Sequence, residues 1–530
     1  MAMPYSWNVT RESVIQRYRS LLGDRPLIIA ANRAPVSIKE LVDPVTHTPY
    51  RKVVMGAGGL VTALSELAGS THSLWIGAGA PGDELLQAAL EHTNGRVSSP
   101  DGRSYRIRLV QPTARQYNDH YNVVSNPLLW FLQHYLWDAS KAPSHTSELS
   151  KAWTDGYRAV NSLFANAIIE EAHGATKPPV ILIQDYQLYC VAGEVRKALP
   201  TATIQQFVHI PWPGAQYWKL IPLYMRRDIL HGMLGCSIIG FQTSRDVKQF
   251  LDTVQQELGY AIDHESETIT VPDGRTVVAH AYPISISTSE FVEMQRMEET
   301  GTYRDRFARE RSANPTRSCI VRVDRTDLTK NIRRGFLAYE RLLEQHPELR
   351  EAVEFWAFLI PTRQNVPEYQ EYFRSIQSDI ARINGRFGTA SWTPIRLEHE
   401  DNRPKGVAAY EQCDVLFVNP VFDGMNLVAK EGIICSKDET VLVLSENAGA
   451  YEELHEGAVG IDPFDVDGQA EALYRAITMP LAEKRRRNAL LKEIVQRNSI
   501  GKWIAAQLDD LDRVASAQQH GGVPPRDTLQ

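Results

Sequence analysis

Short apolar runs recur along this chain, and each ends in a polar cluster that leads into a stretch with helical spacing. Such runs, bounded by turn signals, read as strands buried on both faces of a parallel sheet. In the first half they are Pro26–Ala31, Ser73–Gly77, Pro179–Ile183, Thr203–Val208, Ser237–Phe241 and Val277–Ile284. In the second half they are Ser318–Val323, Glu354–Ile360, a short strand near Ile395, then 414–418 and Thr440–Leu444. Strands alternating with helices in both halves predict an α/β protein of two doubly wound, Rossmann-like domains facing across a cleft. The predicted divisions are a first domain over 1–287, a second over 288–498, a helix over 499–515 that packs back on the first domain, and a disordered tail over 516–530. Residues 288–316, charged and without β character, read as a helix and crossover, and 36–55 as part of a variable, proline-containing loop.

In doubly wound sheets, ligands bind beyond the carboxyl ends of the strands. The polar clusters there are the candidate sites. The stretch Val421–Glu431, VFDGMNLVAKE, follows an apolar strand end. Asp423-Gly424 makes a turn, and Asn426 reads as the N-cap of a helix starting at Leu427. A tight turn into a helix start gathers free backbone N–H groups at the positive end of a dipole, a seat for phosphate. Glu431 lies a little over one turn further on, within reach of sugar hydroxyls on the same ligand. A second glycine-rich turn, Gly56–Leu64, feeds another helix, and Arg33 ends the first strand. Asp185 and His209 each follow a strand end and fall on one rim of a sheet. Arg325 and Lys330 share the loop after strand 318–323, where both can face one anion. The aromatic stretch Tyr117–Trp137 reads as a helical stripe.

Composition narrows the classes. The 530 residues are 43% hydrophobic and 23% charged, enough for two sizeable cores. A net charge of −7 gives no basic surface for nucleic acid. The five cysteines, Cys190, Cys236, Cys319, Cys413 and Cys435, lack CxxC spacing and read as reduced, buried thiols of a cytoplasmic protein. No apolar window reaches membrane-spanning length, and the N-terminal residues lack the apolar core of a signal peptide. No Asp, Glu, His cluster has metal-ligand spacing.

The motifs ANRAP, AGGL, NDHYNVVSNPLLW, QDYQL, FVHIPWP, VDRTDLTK, INGRFG, SWTP, DGMNLVAKE and LSENAGAYEEL occur in this order. Together, over about residues 26–515, they resemble the trehalose-6-phosphate synthase family of retaining glycosyltransferases. The resemblance implies a GT-B architecture, with an acceptor domain first and a nucleotide-sugar donor domain second. It implies that Arg33, Tyr121, Trp130 and Arg363 hold the phosphate and ring of glucose 6-phosphate. Asp185 would orient the attacking hydroxyl, and His209 would contact the transferred sugar. Arg325 and Lys330 would neutralise the nucleotide diphosphate. The loop of Asp423, Gly424, Met425, Asn426, Leu427 and Val428 would meet the donor sugar and phosphates. Glu431 would accept from the ribose hydroxyls, and Gly59 would let the backbone approach the donor sugar. The donor would be UDP-, GDP- or ADP-glucose, with no cofactor and no metal, in a homo-oligomer that binds neither nucleic acid nor membrane.

The chain departs from the family pattern at four places. Gln184 and Gln187 stand where histidines are usual, Asn331 where a glycine follows the lysine, and Ala78 where a second tryptophan follows Trp75. FVHIPWP, DRTDLTKN and ILHGML are also similar to the pseudo-glycosyltransferases that couple a nucleotide-activated cyclitol to an aminocyclitol phosphate. That reaction, glucosyl transfer to glycerol 3-phosphate, and a non-catalytic sugar-phosphate sensor are the alternatives. A nicotinamide dehydrogenase is disfavoured, because neither half has G-x-G-x-x-G after its first strand.

Overall fold

The computed structural model describes residues 22–43, 46–56, 64, 68, 73–99, 102–140, 142–364 and 366–520. The chain divides into two compact units, Met1–Tyr282 with Gly501–Gln530, and Pro283–Ile500. The sequence predicts these divisions at 287/288 and 498/499.

The strands of the first unit are β1 (Leu27–Ala30), β2 (Val36–Val42), β3 (Pro49–Met55), β4 (Leu74–Ala78), β5 (Arg96–Ser98), β6 (Ser104–Val110), β7 (Val180–Gln184), β8 (Thr203–Phe207), β9 (Ile238–Phe241), β10 (Ala261–Asp263), β11 (Thr268–Thr270) and β12 (Thr276–Ala281). Ten of them form one sheet in the order β10-β11-β12-β9-β8-β7-β1-β4-β6-β5. From β12 to β6 every pairing is parallel, while β5, β10 and β11 add antiparallel edges. The strands LIIA, VILIQ and TIQQF are buried throughout, including the polar Thr203, Gln205 and Gln206, as strands covered on both faces are. The chain winds outward from β1 through β4 and β6, then returns to start β7 on the other side of β1. The switch point therefore lies between β1 and β7, paired in register from Leu27 with Val180 to Ala30 with Ile183.

The segment 36–55 is not loop throughout. β2 and β3 form a separate antiparallel hairpin from Val36 opposite Met55 to Val42 opposite Pro49. Its strands are exposed or half-buried almost throughout and carry charges, so they lack the apolar runs that flagged the others. The short edge strands β5, β10 and β11 escaped notice for the same reason. The helix Ile500–His520 belongs with this unit from Gly501 onward. Trp503 donates its indole N–H to Tyr282 O at 3.1 Å, and Gln205 donates to Gln507 Oε1 at 3.1 Å. This helix runs beyond the predicted end at 515, so 516–520 are helical rather than disordered.

The second unit holds β13 (Ser318–Arg325), β14 (Val353–Ile360), β15 (Ile395–His399), β16 (Val415–Val418), β17 (Val441–Ser445) and β18 (Val459–Ile461). They form one parallel sheet in the order β15-β14-β13-β16-β17-β18. The winding again reverses, here between β13 and β16. Ile320, Phe336, Phe355 and Phe417 lie in the core on one face of this sheet. Residues 288–316 fold as two helices, Thr288–Arg296 and Glu298–Ser312, within this unit. All five cysteines are buried free thiols.

Candidate functional site

The residues singled out in the first unit gather at its switch point. Arg33 follows β1, and its backbone carbonyl accepts the Trp75 indole N–H at 3.0 Å, which fixes the loop. Its Nη2 donates to the Tyr121 hydroxyl at 3.0 Å, and the guanidinium sits 5.8 Å from the Tyr121 ring centre. The neighbouring Tyr121 pushes the Arg33 pKa up, and burial opposes the shift.

Tyr121 and Trp130 lie on a helix, but not an α-helix. Asp119–Trp130 is wound with the wider π spacing, and Pro127 sits inside it. Nine residues of α-helix make about two and a half turns, which would send Tyr121 and Trp130 to opposite faces. With i→i+5 bonding, about nine residues make two full turns, and both fall on one face. A second π-helical stretch, Ala152–Arg158, crosses the first. The crossing depends on Gly156, where a Cβ would come within 2.5 Å of the Asp119 Cβ and 2.9 Å of the His120 N. His120 is fully buried beneath, its Nε2 3.2 Å from Asn32 Oδ1, and burial drops its pKa to about 3.

Asp185 follows β7, next to β1. Its backbone has φ 67°, a strained conformation for a residue with a side chain. Its Oδ1 accepts the His209 backbone N–H at 3.1 Å. The His209 ring is held from both sides. Gln242 donates to Nδ1 at 3.3 Å, so the proton is on Nε2, which faces Gln184 Oε1 at 3.1 Å. Burial lowers the His209 pKa to about 3, so the ring is neutral at ordinary pH. Gln184 thus replaces a usual histidine with an amide whose oxygen fixes the His209 tautomer. Ala78 is buried at the end of β4. Gly59, and with it most of the glycine-rich turn, lies outside the described residues.

The second unit assembles its residues in the same way. Arg325 ends β13 and is exposed. Lys330 sits on a tight turn, Leu328–Lys330, and its Nζ is paired with Asp423 Oδ2. The two loops flanking the switch point are therefore tied directly. Asn331 follows with φ 56°, in the left-handed region where glycine is the usual residue and asparagine is tolerated.

The stretch after β16 differs in detail from its predicted form. The helix is Val428–Cys435, so it begins one residue later than expected, and Asn426 does not cap it. Asn426 is itself left-handed, with φ 66°, and turns its amide to Asp423 Oδ2 at 3.0 Å. The Asp423 N–H is used by Asn447 O at 3.2 Å. The N–H groups of Gly424, Met425, Asn426, Leu427 and Val428 meet no protein acceptor among the described residues. Glu431 lies in the first turn of the helix, and its side chain makes no hydrogen bond among the described residues. Burial raises its pKa, with Arg403 opposing and Glu290 adding to the shift.

Arg363 belongs to this unit, at the end of β14. It donates to Asp327 Oδ2 at 2.8 Å and pairs with the Tyr369 hydroxyl. Burial would raise Asp327, but Arg363, Arg325 and the Thr329 amide outweigh it and hold its pKa at about 2. Asp327 and Tyr369 were not read from the sequence, although the acid sits between the two cations that were. Among the described residues, no group of three or more His, Cys, Asp or Glu is placed to hold a metal ion, and no helix is long and apolar enough to cross a membrane.

Comparison with known proteins agrees with this architecture. A family model for glycosyltransferase family 20 matches residues 25–513. Over 504 residues the chain is 32% identical to the alpha,alpha-trehalose-phosphate synthase (UDP-forming) of Pichia angusta, covering 92% of this chain and 99% of that protein. It is also 32% identical over 493 residues to the bifunctional trehalose-6-phosphate synthase/phosphatase of Thermoproteus tenax, where the match covers 90% of this chain but only 62% of the longer relative. Among solved structures, the trehalose-6-phosphate structure from E. coli bound with UDP-2-fluoro glucose superposes with a TM-score of 0.77 at 27% identity, covering 92% of this chain and 99% of that one. The alpha,alpha-trehalose-phosphate synthase (UDP-forming) from Burkholderia xenovorans in complex with glucose-6-phosphate gives 0.74 at 29% identity, with 92% and 100% covered. The fold class is GT-B. A family match that spans both doubly wound units, rather than one generic nucleotide fold, settles the assignment: the chain belongs to glycosyltransferase family 20.

Proposed function

We propose that this chain is a retaining glucosyltransferase that moves glucose from UDP-glucose to glucose 6-phosphate, giving trehalose 6-phosphate. The observation that carries the reading is the second unit's switch point. Five unengaged amides, the Lys330 ammonium and the Arg325 guanidinium belong to the two loops that flank it. This is the equipment a diphosphate needs. Uridine is taken as the base because the relatives are UDP-forming, whereas GDP- and ADP-glucose share only the phosphate and ribose contacts. Glu431, a partly desolvated carboxylate with no side-chain hydrogen bond among the described residues, suits a pair of ribose hydroxyls.

In this reading the bond from the glucose C1 to the diphosphate oxygen breaks as C1 bonds the acceptor oxygen on the same face. The leaving phosphate oxygen takes the acceptor's proton. Lys330 and Arg325 stabilise the charge that develops on the diphosphate, so neither a protein nucleophile nor a metal is required. This contrasts with the paired carboxylates of most retaining glycosidases. Arg33, Tyr121 and Trp130 take the acceptor phosphate and ring, and Arg363 is assigned to the same phosphate. Asp185 orients the attacking hydroxyl. His209 is neutral, with its Nε2–H committed to Gln184 and its Nδ1 to Gln242, so it is assigned to contact the transferred sugar and not to carry a proton.

The test is incubation of the full chain with glucose 6-phosphate and, separately, UDP-, GDP- and ADP-glucose. Products are identified by mass. The expected result is release of UDP with a phosphorylated glucose disaccharide. Absence of nucleotide release with every donor, or product only from an aminocyclitol phosphate, would overturn the proposal.

A further inference from the structure

An arginine lies inside the buried strand β13. Arg322 has no exposed surface, yet its neighbours Ile320, Val321 and Val323 are the apolar residues such a strand requires. A fully buried guanidinium is costly unless every donor is used. Here the donors are spread over the turn that carries Lys330. Nε and Nη2 both reach Asp324 Oδ2, at 3.1 and 2.8 Å. Nη2 also donates to the Lys330 carbonyl at 2.9 Å and to Asn419 Oδ1 at 3.2 Å, and Nη1 reaches the Ile332 carbonyl at 3.4 Å.

These partners bracket the left-handed residue Asn331. The carbonyls before and after it belong to Lys330 and Ile332. Asn331 is held by a second set of bonds. Its side chain donates to Pro463 O at 2.7 Å, and its own carbonyl accepts from Asn419 Nδ2 at 3.3 Å. Asn419 donates as well to Gln469 Oε1 at 2.8 Å, and Gln469 returns to Pro463 O at 3.0 Å. The network closes on itself, and Arg322, Asn331, Asn419 and Gln469 are all buried. The facing helix Ile332–Gln345 makes room for it at Gly335, where a Cβ would stand 2.5 Å from Arg322 Nη1.

We propose that Arg322 is a positioning residue for donor binding: through the Lys330 and Ile332 carbonyls it locks the left-handed Asn331 turn, and so sets where the Lys330 ammonium stands. The proposal deepens the donor reading above and rests on it. Arg322 itself touches no substrate. It replaces by cross-bracing the conformational freedom that a glycine at 331 supplies in the family pattern. A lysine at 322 would not reproduce it, since its three donors sit on one compact ammonium and lack the planar fork by which three separate nitrogens reach Asp324 and the two carbonyls.

The experiment is a double-mutant cycle on the full chain, with Arg322→Met, Lys330→Ala and both together. It is read by calorimetric titration with UDP and, in parallel, by thermal melting. Arg322→Met alone is expected to weaken UDP by about 10-fold, the worth of charged hydrogen bonds lost from a positioning contact. In the Lys330→Ala background the same change is expected to alter UDP affinity less than about 2-fold, because the group it positions is gone. The fall in melting temperature should be alike in both backgrounds, which separates positioning from general support of the fold. Equal losses of UDP affinity in both backgrounds would overturn the proposal. If the wild-type chain binds none of UDP, GDP and ADP, the donor reading fails and this inference with it. Should Arg322→Met not fold, Arg322→Lys provides the second arm. The proposal expects it to stay folded with weakened UDP binding, and wild-type UDP affinity in that variant would contradict it.

Discussion

Arg325 and Lys330 bear most of the chemical argument, and they differ in how they are held. Lys330 is tied to Asp423, whereas Arg325 is exposed at the end of β13. If both stabilise a departing diphosphate, replacing either with alanine should lower kcat by about 100- to 1000-fold, the usual cost of one transition-state donor. Steady-state kinetics with UDP-glucose and glucose 6-phosphate checks this, and near-normal turnover in either variant would remove the donor assignment. The titrating groups give a second prediction. His209 and His120 are lowered to about 3 by burial, so the folded state refuses protons that the unfolded chain accepts. Their contribution to stability is whole above about pH 6.5 and is lost as pH falls toward 3. Asp327 is depressed to about 2, and its contribution disappears only below the ordinary carboxylate range. Melting temperatures recorded across pH should therefore begin to fall below about 6.5, well before carboxylates titrate. The rate profile should carry no limb near 6.5 from His209. These residues were legible because each stands in a polar cluster at a strand end. Arg322 was not singled out, because an apolar run is read for its apolar members and its one charge is passed over.

At the scale of elements, the π-helical stretch Asp119–Trp130 is the departure with consequences. Its aromatic content was visible in the sequence, but its winding was not, because the spacing of aromatics alone does not distinguish helix types. The winding goes with a close crossing by Ala152–Arg158, a contact distant in sequence, where Gly156 meets Asp119 and His120. Gly156→Ala should therefore destabilise the protein by about 1–3 kcal/mol, as overpacked contacts do. It should also raise KM for glucose 6-phosphate, with little change for UDP-glucose. Calorimetric melting and a two-substrate kinetic matrix test it, and an unchanged acceptor KM would detach this element from the acceptor site. The donor loop teaches a related lesson. Asp423-Gly424 and the helix start were readable within one residue, yet Asn426 could equally cap or turn. The left-handed backbone and the Asp423 contact, both tertiary outcomes, decide for the turn.

At the scale of the whole molecule, the strand–helix alternation sufficed to predict two doubly wound units, because fully buried parallel strands have an unmistakable apolar pattern. The hairpin Val36–Met55 and the short edge strands have no such burial and stayed hidden. Strand order, and hence both switch points, emerged only with the pairings of β1 with β7 and β13 with β16. Yet those pairings bring together the loops that had been singled out one by one. In the proposed function the donor diphosphate is received by the loops flanking the β13–β16 switch point. The most direct measurement is a crystal structure of the full chain with UDP and glucose 6-phosphate bound. The diphosphate is expected within hydrogen-bond distance of Lys330 Nζ and the amides of 424–428, with the ribose on Glu431. A diphosphate bound elsewhere, with Lys330 still closed on Asp423 and those amides unoccupied, would contradict it.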